Sequence, residues 1–304
     1  MSALVAAAAA AFVAALAFVL AVWLGYPLVL LACGAWRAHA TRSRPRSPVA
    51  PAAGPAATLP PLPAPPAPAG FVSLIIAAHN EAAVIPARLA NLAALDYPRD
   101  QVEVIVVEDG SVDGTAAAAA AAAAALAEHC PPLRVRVLSA PERQGKAAAL
   151  NRAVAAAAGT ILVFSDANNG FAADALRRLL APLQDTRVGA VAGWKTVAAD
   201  CGVGGGESVY WRFERWLMER EDRLGWVVNA AGEVLAMRRE CFRPLPMGAV
   251  LNDDLFFALS VRAQGRRVAF APAARSFEPP AANGGEEWRR RRRIAAGRWR
   301  ALRA

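Results

Sequence analysis

Cysteine is scarce in this chain, and the four present, Cys33, Cys130, Cys201 and Cys241, lie too far apart to form a C-x-x-C pair. None has a histidine at metal-ligating spacing, so the pattern argues against a thiolate metal module or a dithiol redox centre. They read as reduced, mostly buried thiols. No G-x-G-x-x-G follows the first apolar strand, which argues against a dinucleotide-dependent oxidoreductase. Charge is missing altogether from Ala3 to Cys33. An apolar run of more than about 20 residues is long enough to cross a bilayer. Residues 1–36 are therefore expected to form a transmembrane anchor, with Gly25-Tyr26-Pro27 kinking or ending the helix. No Lys or Arg precedes Arg37. A cleaved signal peptide would carry a basic start and a shorter apolar core, and the loosely lipoprotein-like Leu30-Leu31-Ala32-Cys33 lacks the same start.

The net charge is +9, and its distribution matters more than its size. Arg37, Arg42, Arg44 and Arg46 follow the apolar run, and Arg289 to Arg293, Arg298, Arg300 and Arg303 crowd the far end. These twelve arginines exceed the net charge, so the body between them is mildly acidic. Two short basic flanks suit an anionic membrane surface better than a nucleic-acid groove, and no nucleic-acid partner is expected. By the positive-inside rule the first four arginines place their end of the helix in the cytoplasm. The expectation is a single-pass protein of the inner (cell) membrane with its folded part cytoplasmic. Residues 37–70, rich in Pro, Ala and Arg without a periodic apolar pattern, read as a semi-rigid spacer.

From residue 71 the chain alternates strand and helix. Phe71 to Ala78, Val102 to Val107, Leu133 to Leu138, Thr160 to Phe164 and Val188 to Ala192 read as strands. The first two are apolar throughout, which predicts a mostly parallel sheet covered on both faces. The alanine run from Ala116 to Ala125 is helix by propensity. Further helices are predicted into Asn151, from Phe171 to Leu180 capped by Asp166-x-Asn168 or by Asp174, from Glu207 to about Leu224, and after Asn252. Polar groups recur where strands end: His79-Asn80-Glu81, then Glu108-Asp109-Gly110-Ser111-Val112-Asp113-Gly114-Thr115, then Ser165-Asp166-Ala167-Asn168. The carboxyl edge of an open α/β sheet is where ligands bind.

Singly these groups are ordinary: an Asp beside Gly in a turn, a helix cap, a solvated lysine at Lys146. Their order and spacing together resemble the family-2 glycosyltransferases, inverting enzymes of GT-A fold that use nucleotide sugars and include cellulose, chitin and hyaluronan synthases. Ala78-His79-Asn80-Glu81 is similar to the Asn-Glu turn after the family's first strand, with Ala for the usual Pro. Glu108 to Thr115 resembles D-D-G-S-x-D-G-T with Glu first, and Gly145-Lys146-Ala147-Ala148-Ala149-Leu150-Asn151 matches G-K-x-x-A-L-N. Asp166-Ala167-Asn168 stands where the family has D-x-D, and Asn252-Asp253-Asp254 where it has the acceptor-side acid. Arg298-Trp299 fits the final pair of Q/R-x-x-R-W.

The resemblance implies a Rossmann-like, nucleotide-sugar-binding GT-A domain over residues 71–304, ending in a basic tail. It implies donor binding by Asn80, Glu81, Glu108, Asp109, Lys146 and Asp166, with Arg298 and Trp299 at the diphosphate and the acceptor sugar. Asp166 and Asn168 would hold Mg²⁺ or Mn²⁺, the amide oxygen still suiting a hard cation. Inversion needs a base for the acceptor hydroxyl, and Asp254 is the first candidate, Asp253 the second. The implied activity is transfer of glucose or N-acetylglucosamine from a UDP-sugar to a saccharide or lipid-linked acceptor beside membrane lipid, as in polysaccharide biosynthesis. Polymer-extruding relatives continue into further membrane helices, and Ala304 comes before any such segment. The alternative expectation is an inactive membrane-associated nucleotide-sugar-binding module or a truncated synthase.

Overall fold

The computed structural model describes residues 2–42, 70–197, 207–228, 230, 232–247, 252–278, 288, 292, 295 and 296. Residues 43–69 of the expected spacer, the Gly-rich break before Glu207, and Arg298 and Trp299 lie outside the described residues, whereas 37–42, expected as spacer, continue the amino-terminal helix.

The apolar start is helical from Ser2 to Arg42: α1 (Ser2–Leu20), a π-helical turn (Ala21–Gly25) and α2 (Tyr26–Arg42). Pro27 neither ends the helix nor breaks it. Proline removes a backbone donor and crowds the preceding turn, and the widened turn just before it absorbs that mismatch. Val5–Arg37 is the one stretch among the described residues long and apolar enough to cross a membrane. Side chains of α1 such as Phe12, Val13 and Phe18 are exposed, whereas Pro27 and Leu30 of α2 are buried.

The body is an α/β sandwich. After β1 (Val72–Ala78) come α3 (Ile85–Ala93), β2 (Val102–Asp109), α4 (Thr115–His129), β3 (Arg134–Ala140) and α5 (Lys146–Ala156). Then follow β4 (Ile161–Asp166), β5 (Gly170–Phe171), α6 (Ala175–Leu180), β6 (Val188–Val197), α7 (Glu207–Leu224), β7 (Leu235–Arg238), α8 (Asp253–Ala263) and β8 (Arg267–Glu278). The eight strands form one sheet in the order β3-β2-β1-β4-β7-β6-β8-β5. β1 pairs in parallel with both β2 and β4, and β2 with β3, so their carboxyl ends share one edge. β7 runs antiparallel between β4 and β6.

Alternation along β1 explains the layers. Val72, Leu74 and Ile76 join Leu89, Ala119, Leu176 and Leu179 in the core under α3, α4 and α6. Ile75 points the other way, to Ala149, Leu150, Ala153, Phe257 and Val261 under α5 and α8. The five strands expected from the sequence are present, β6 extending to Val197. The segment from Phe171 departs from expectation: Gly170–Phe171 pairs with β8, and α6 starts only at Ala175. Asp174 occupies its N-cap position without a side-chain cap bond and instead pairs with Arg178.

Candidate active site

The site is built at the carboxyl edge of β1, β2 and β4. Register sets Ala78 beside Glu108 and Ala77 beside Asp166, so three chain-distant turns begin at one level. Asn80 takes a positive φ of 57°, a conformation Asn tolerates better than most residues. This lets its side-chain oxygen accept from Val112 N at 3.1 Å while its own N–H donates to Ser111 Oγ at 3.0 Å. Glu81 N donates to Thr115 Oγ1 and Ala82 N to Asp113 Oδ2, tying the first turn to the second. Burial, with Asp166 and Asp113 adding to it, raises the Glu81 carboxyl above its ordinary range.

Asp109 is buried, and both its oxygens accept backbone N–H groups, Gln144 at 2.9 Å and Gly145 at 2.7 Å. Glu108 is buried too and accepts from Ser111 N. Hence these two carboxylates hold the turn after β2 and the turn before α5 in shape. Gly110, at φ 63°, is required where they meet, because a Cβ would collide with the Glu142–Arg143 backbone. The Asp109 clamp sets the start of α5, which presents Lys146. Its ammonium donates to Asp166 Oδ1 at 3.0 Å and stands 3.0 Å from Asp253 Oδ2. Burial disfavours that charge, but Asp166 and Asp253 outweigh it and hold Lys146 above its ordinary range.

Asp253 and Asp254 both lie in the first turn of α8. Asp253 faces Lys146, whereas Asp254 accepts from Leu255 N and packs at Gly232, where a Cβ would come within 3.2 Å of the Asp254 Cβ. Asn151, the last residue of the G-K-x-x-A-L-N match, is structural. It bonds Leu245 through both amide atoms, at 2.9 and 2.8 Å, and so anchors the segment leading to α8. The structure thus brings Asn80, Glu81, Glu108, Asp109, Lys146, Asp166, Asp253 and Asp254 to one rim.

Two groups of site residues carry no clear mark in the sequence. Beneath β4, the buried Arg88 donates to Ser165 Oγ at 2.7 Å and to Asn91 Oδ1 at 2.5 Å, with its guanidinium 4.4 Å from the Phe171 ring centroid. Ser165 Oγ donates to Asn169 Oδ1, and Asn169 Nδ2 to the Glu233 carbonyl. Burial lowers Arg88 to about 9, against the pull of Asp166. Beside Asn168, the Lys195 ammonium pairs with Glu233 Oε1 at 3.2 Å and with Glu278 Oε2, while Asn168 Nδ2 donates to Glu278 Oε1 at 3.3 Å. Burial pushes Glu233 up to about 7, Lys195 pulling the other way and Asp166 and Glu278 adding to the rise. A signal exists for Arg88, since 85, 88, 89 and 92 are the apolar-face spacing of a helix. None exists for Glu278, because Pro272 and the arginines of β8 obscure that strand.

Among the described residues no three His, Cys, Asp or Glu side chains converge closely enough to hold a cation by themselves. Asp166 and the Asn168 amide each offer an oxygen donor of the kind a hard divalent ion takes.

The sequence model of "Glycosyl transferase family 2" matches residues 73–243. The chain belongs to this family. Among curated family-2 relatives it is 31% identical over 172 residues to a beta-monoglucosyldiacylglycerol synthase from Nostoc sp., covering 56% of this chain and 36% of that one. It therefore spans about a third of that relative's length. Among solved structures, the mannosyltransferase PcManGT from Pyrobaculum calidifontis, in complex with GDP-Man and Mn²⁺, is 28% identical with a TM-score of 0.66, covering 92% of this chain and 76% of that one. Glucosyl-3-phosphoglycerate synthase from Mycobacterium tuberculosis, complexed with Mn²⁺, UDP-glucose and phosphoglyceric acid, shares the fold at 22% identity and a TM-score of 0.52, covering 75% of this chain and 78% of that one. The α/β family-2 glycosyltransferase fold with a mostly parallel sheet is thus shared.

Proposed function

We propose that this family-2 enzyme is a membrane-anchored, inverting glycosyltransferase that moves glucose, or else N-acetylglucosamine, from a UDP-sugar to a lipid or lipid-linked hydroxyl. The observation that carries the reading is the convergence of Lys146, Asp166 and Asp253 on one rim, with Asp254 one residue beyond. The diacylglycerol-glucosylating relative supports a lipid acceptor and glucose, and the bound UDP-glucose of the mycobacterial enzyme supports the uridine donor. The apolar α1 supports anchoring in the cell membrane with the catalytic domain on the cytoplasmic side.

In this reading Asn80, Glu81 and Asp109 border the uridine side, and Lys146 meets the diphosphate, exchanging its carboxylate partners for phosphate oxygens. Asp166 and Asn168 hold Mg²⁺ or Mn²⁺. The chemistry such an ion supplies when bound is neutralisation of charge on the leaving diphosphate. Asp254 accepts the proton of the acceptor hydroxyl as its oxygen bonds to the anomeric carbon. The bond from that carbon to the diphosphate breaks on the opposite face, releasing UDP and inverting the configuration. Arg298 and Trp299 belong to this proposal by the motif alone.

The test is nucleotide release by the membrane-embedded protein over a panel of nucleotide sugars, with and without Mg²⁺ or Mn²⁺, with diacylglycerol supplied, beside Asp254→Asn. The expected result is metal-dependent UDP release from one sugar, falling at least about 100-fold in the variant, as loss of a general base does. Release of GDP from GDP-mannose instead would overturn the uridine assignment, and an Asp254→Asn variant of full activity would overturn the base.

A further inference from the structure

We infer that Glu278 is a positioning residue for the cation site, and that it is the reason position 168 carries an amide where the family motif carries a carboxylate. The inference rests on the metal-dependent reading above and adds to it a residue from the opposite end of the sheet. β8 reaches the site because β5, just after Asn168-Asn169, pairs with its last turn: Gly170 stands opposite Phe277. Glu278 is the next residue, and its two oxygens divide the work. Oε2 meets the Lys195 ammonium, itself held by Glu233, and Oε1 accepts Asn168 Nδ2 at 3.3 Å. The side chains of Lys195, Glu233 and Glu278 are each no more than 16% exposed, so the triad is a fixed abutment rather than a solvated cluster.

This arrangement decides which way the amide faces. An amide has a donor end and an acceptor end. With Nδ2 engaged by Glu278, Oδ1 is turned to the other side, the end that suits a hard cation. An aspartate at 168 would set a carboxylate against the Glu278 carboxylate at the same separation, beside Glu233 and two residues from Asp166. Lys146 is already shared by Asp166 and Asp253, and Lys195 by Glu233 and Glu278, so a further carboxylate at 168 would lack a cation of its own, and like charges this close disfavour joint ionisation. The Asn168–Glu278 pair therefore does what an Asp–Gln pair would do with donor and acceptor exchanged.

The test uses the full-length protein in detergent and reads Mn²⁺ binding in the presence of UDP from the electron paramagnetic resonance signal of free Mn²⁺. No turnover is needed, so an enzyme that binds Mn²⁺ with UDP but transfers no sugar would sink the function proposed above and leave this inference standing. Glu278→Ala should weaken Mn²⁺ binding about tenfold or more, the usual effect of losing a hydrogen-bond partner behind a metal ligand. Asn168→Asp alone should fail to tighten it, although a charge is added. The double variant Asn168→Asp with Glu278→Gln should bind at least about tenfold more tightly than Asn168→Asp. That rescue separates positioning from general stability, and it holds as a test even if Glu278→Ala misfolds. Tighter binding by Asn168→Asp with Glu278 intact, a double variant that binds no more tightly than Asn168→Asp, or no UDP-dependent Mn²⁺ binding by the parent would each overturn the inference.

Discussion

Arg88 occupies one of five buried positions of α3, with Ile85, Leu89, Leu92 and Ala93, and it is the charged one. An arginine there is costly unless its hydrogen bonds are made, and two are, to Ser165 and Asn91. Ser165 immediately precedes Asp166, and the Arg88 charge is felt at that carboxylate. Without Arg88, Ser165 keeps its bond to Asn169 and Asn91 its two to Phe171, so the groups left behind are not stranded. Arg88→Met is therefore expected to cost about 1–3 kcal/mol of stability, yet to weaken UDP-dependent Mn²⁺ binding about tenfold, as other losses of support behind a metal ligand do. Melting and Mn²⁺ titration read the two separately, and unchanged binding would show that Arg88 serves packing alone. At this scale the sequence is partly legible. Polar residues at strand ends can be found by position, whereas the roles of Glu108, Asp109 and Asn151 depend on backbone partners 3, 35 and 94 residues away, which no local pattern reports. Glu103 makes the same point: an acid inside an apolar strand, it serves structure at the far edge of the sheet, accepting from Ser73 Oγ and Ala158 N.

The elements are more legible than their partners. Apolar runs bounded by turn residues identify β1, β2 and β4 because buried parallel strands have no polar face to confuse the pattern. β8 escapes a reading of this kind since Pro272 interrupts it, and its pairing with β6 slips register near Trp194. The amphipathic pattern of α7 is plain in the sequence, and the structure adds what covers it. Trp23 stacks on Phe213 with ring centroids 5.5 Å apart, Tyr26 donates to Glu221 Oε1 at 2.6 Å, and Arg37 donates to the Leu224 carbonyl. The apolar helix is therefore docked on the domain along its second half. Burial raises the Glu221 carboxyl above its ordinary 4.5, with Tyr26 pulling it back and Glu214 adding to the rise. A group whose folded-state pKa lies above its unfolded one gives stability that is fully present below pH 4.5 and is lost as pH rises through the folded value. The melting temperature of the parent should therefore fall relative to Glu221→Gln as pH rises from about 5 to 8, the glutamine keeping an oxygen for Tyr26 without a buried charge. Parallel pH profiles for the two proteins would refute this coupling.

For the molecule as a whole, the docking of α2 changes what the amino-terminal helix is for. α1 is 19 residues, about 28 Å at 1.5 Å per residue, close to the roughly 30 Å of bilayer hydrocarbon. Its large side chains are exposed, as suits contact with lipid. α2 begins after the π-helical turn and lays Pro27 and Leu30 against the domain while Leu28, Val29, Leu31 and Trp36 stay exposed, so one face of it belongs to the globular body. A truncation placed where the apolar run ends therefore cuts away part of that body. Removing residues 2–40 would uncover Phe213, Leu224 and Glu221, an apolar strip around an acid that has lost Tyr26 as its partner. Removing residues 2–20 would leave that seam closed and delete α1, while Trp23, Leu24, Leu28, Val29, Leu31 and Trp36 stay exposed. The shorter deletion is expected to be extracted by mild detergent and to run in it as a monodisperse species on gel filtration. The longer one should aggregate or stay with lipid, and melt lower. Equal behaviour of the two truncations would mean that α2 contributes nothing to the domain. Retention of the shorter one in the membrane pellet despite detergent would mean that the exposed face of α2 binds the bilayer without α1, which moves the membrane contact from the anchor to the helix docked on the domain.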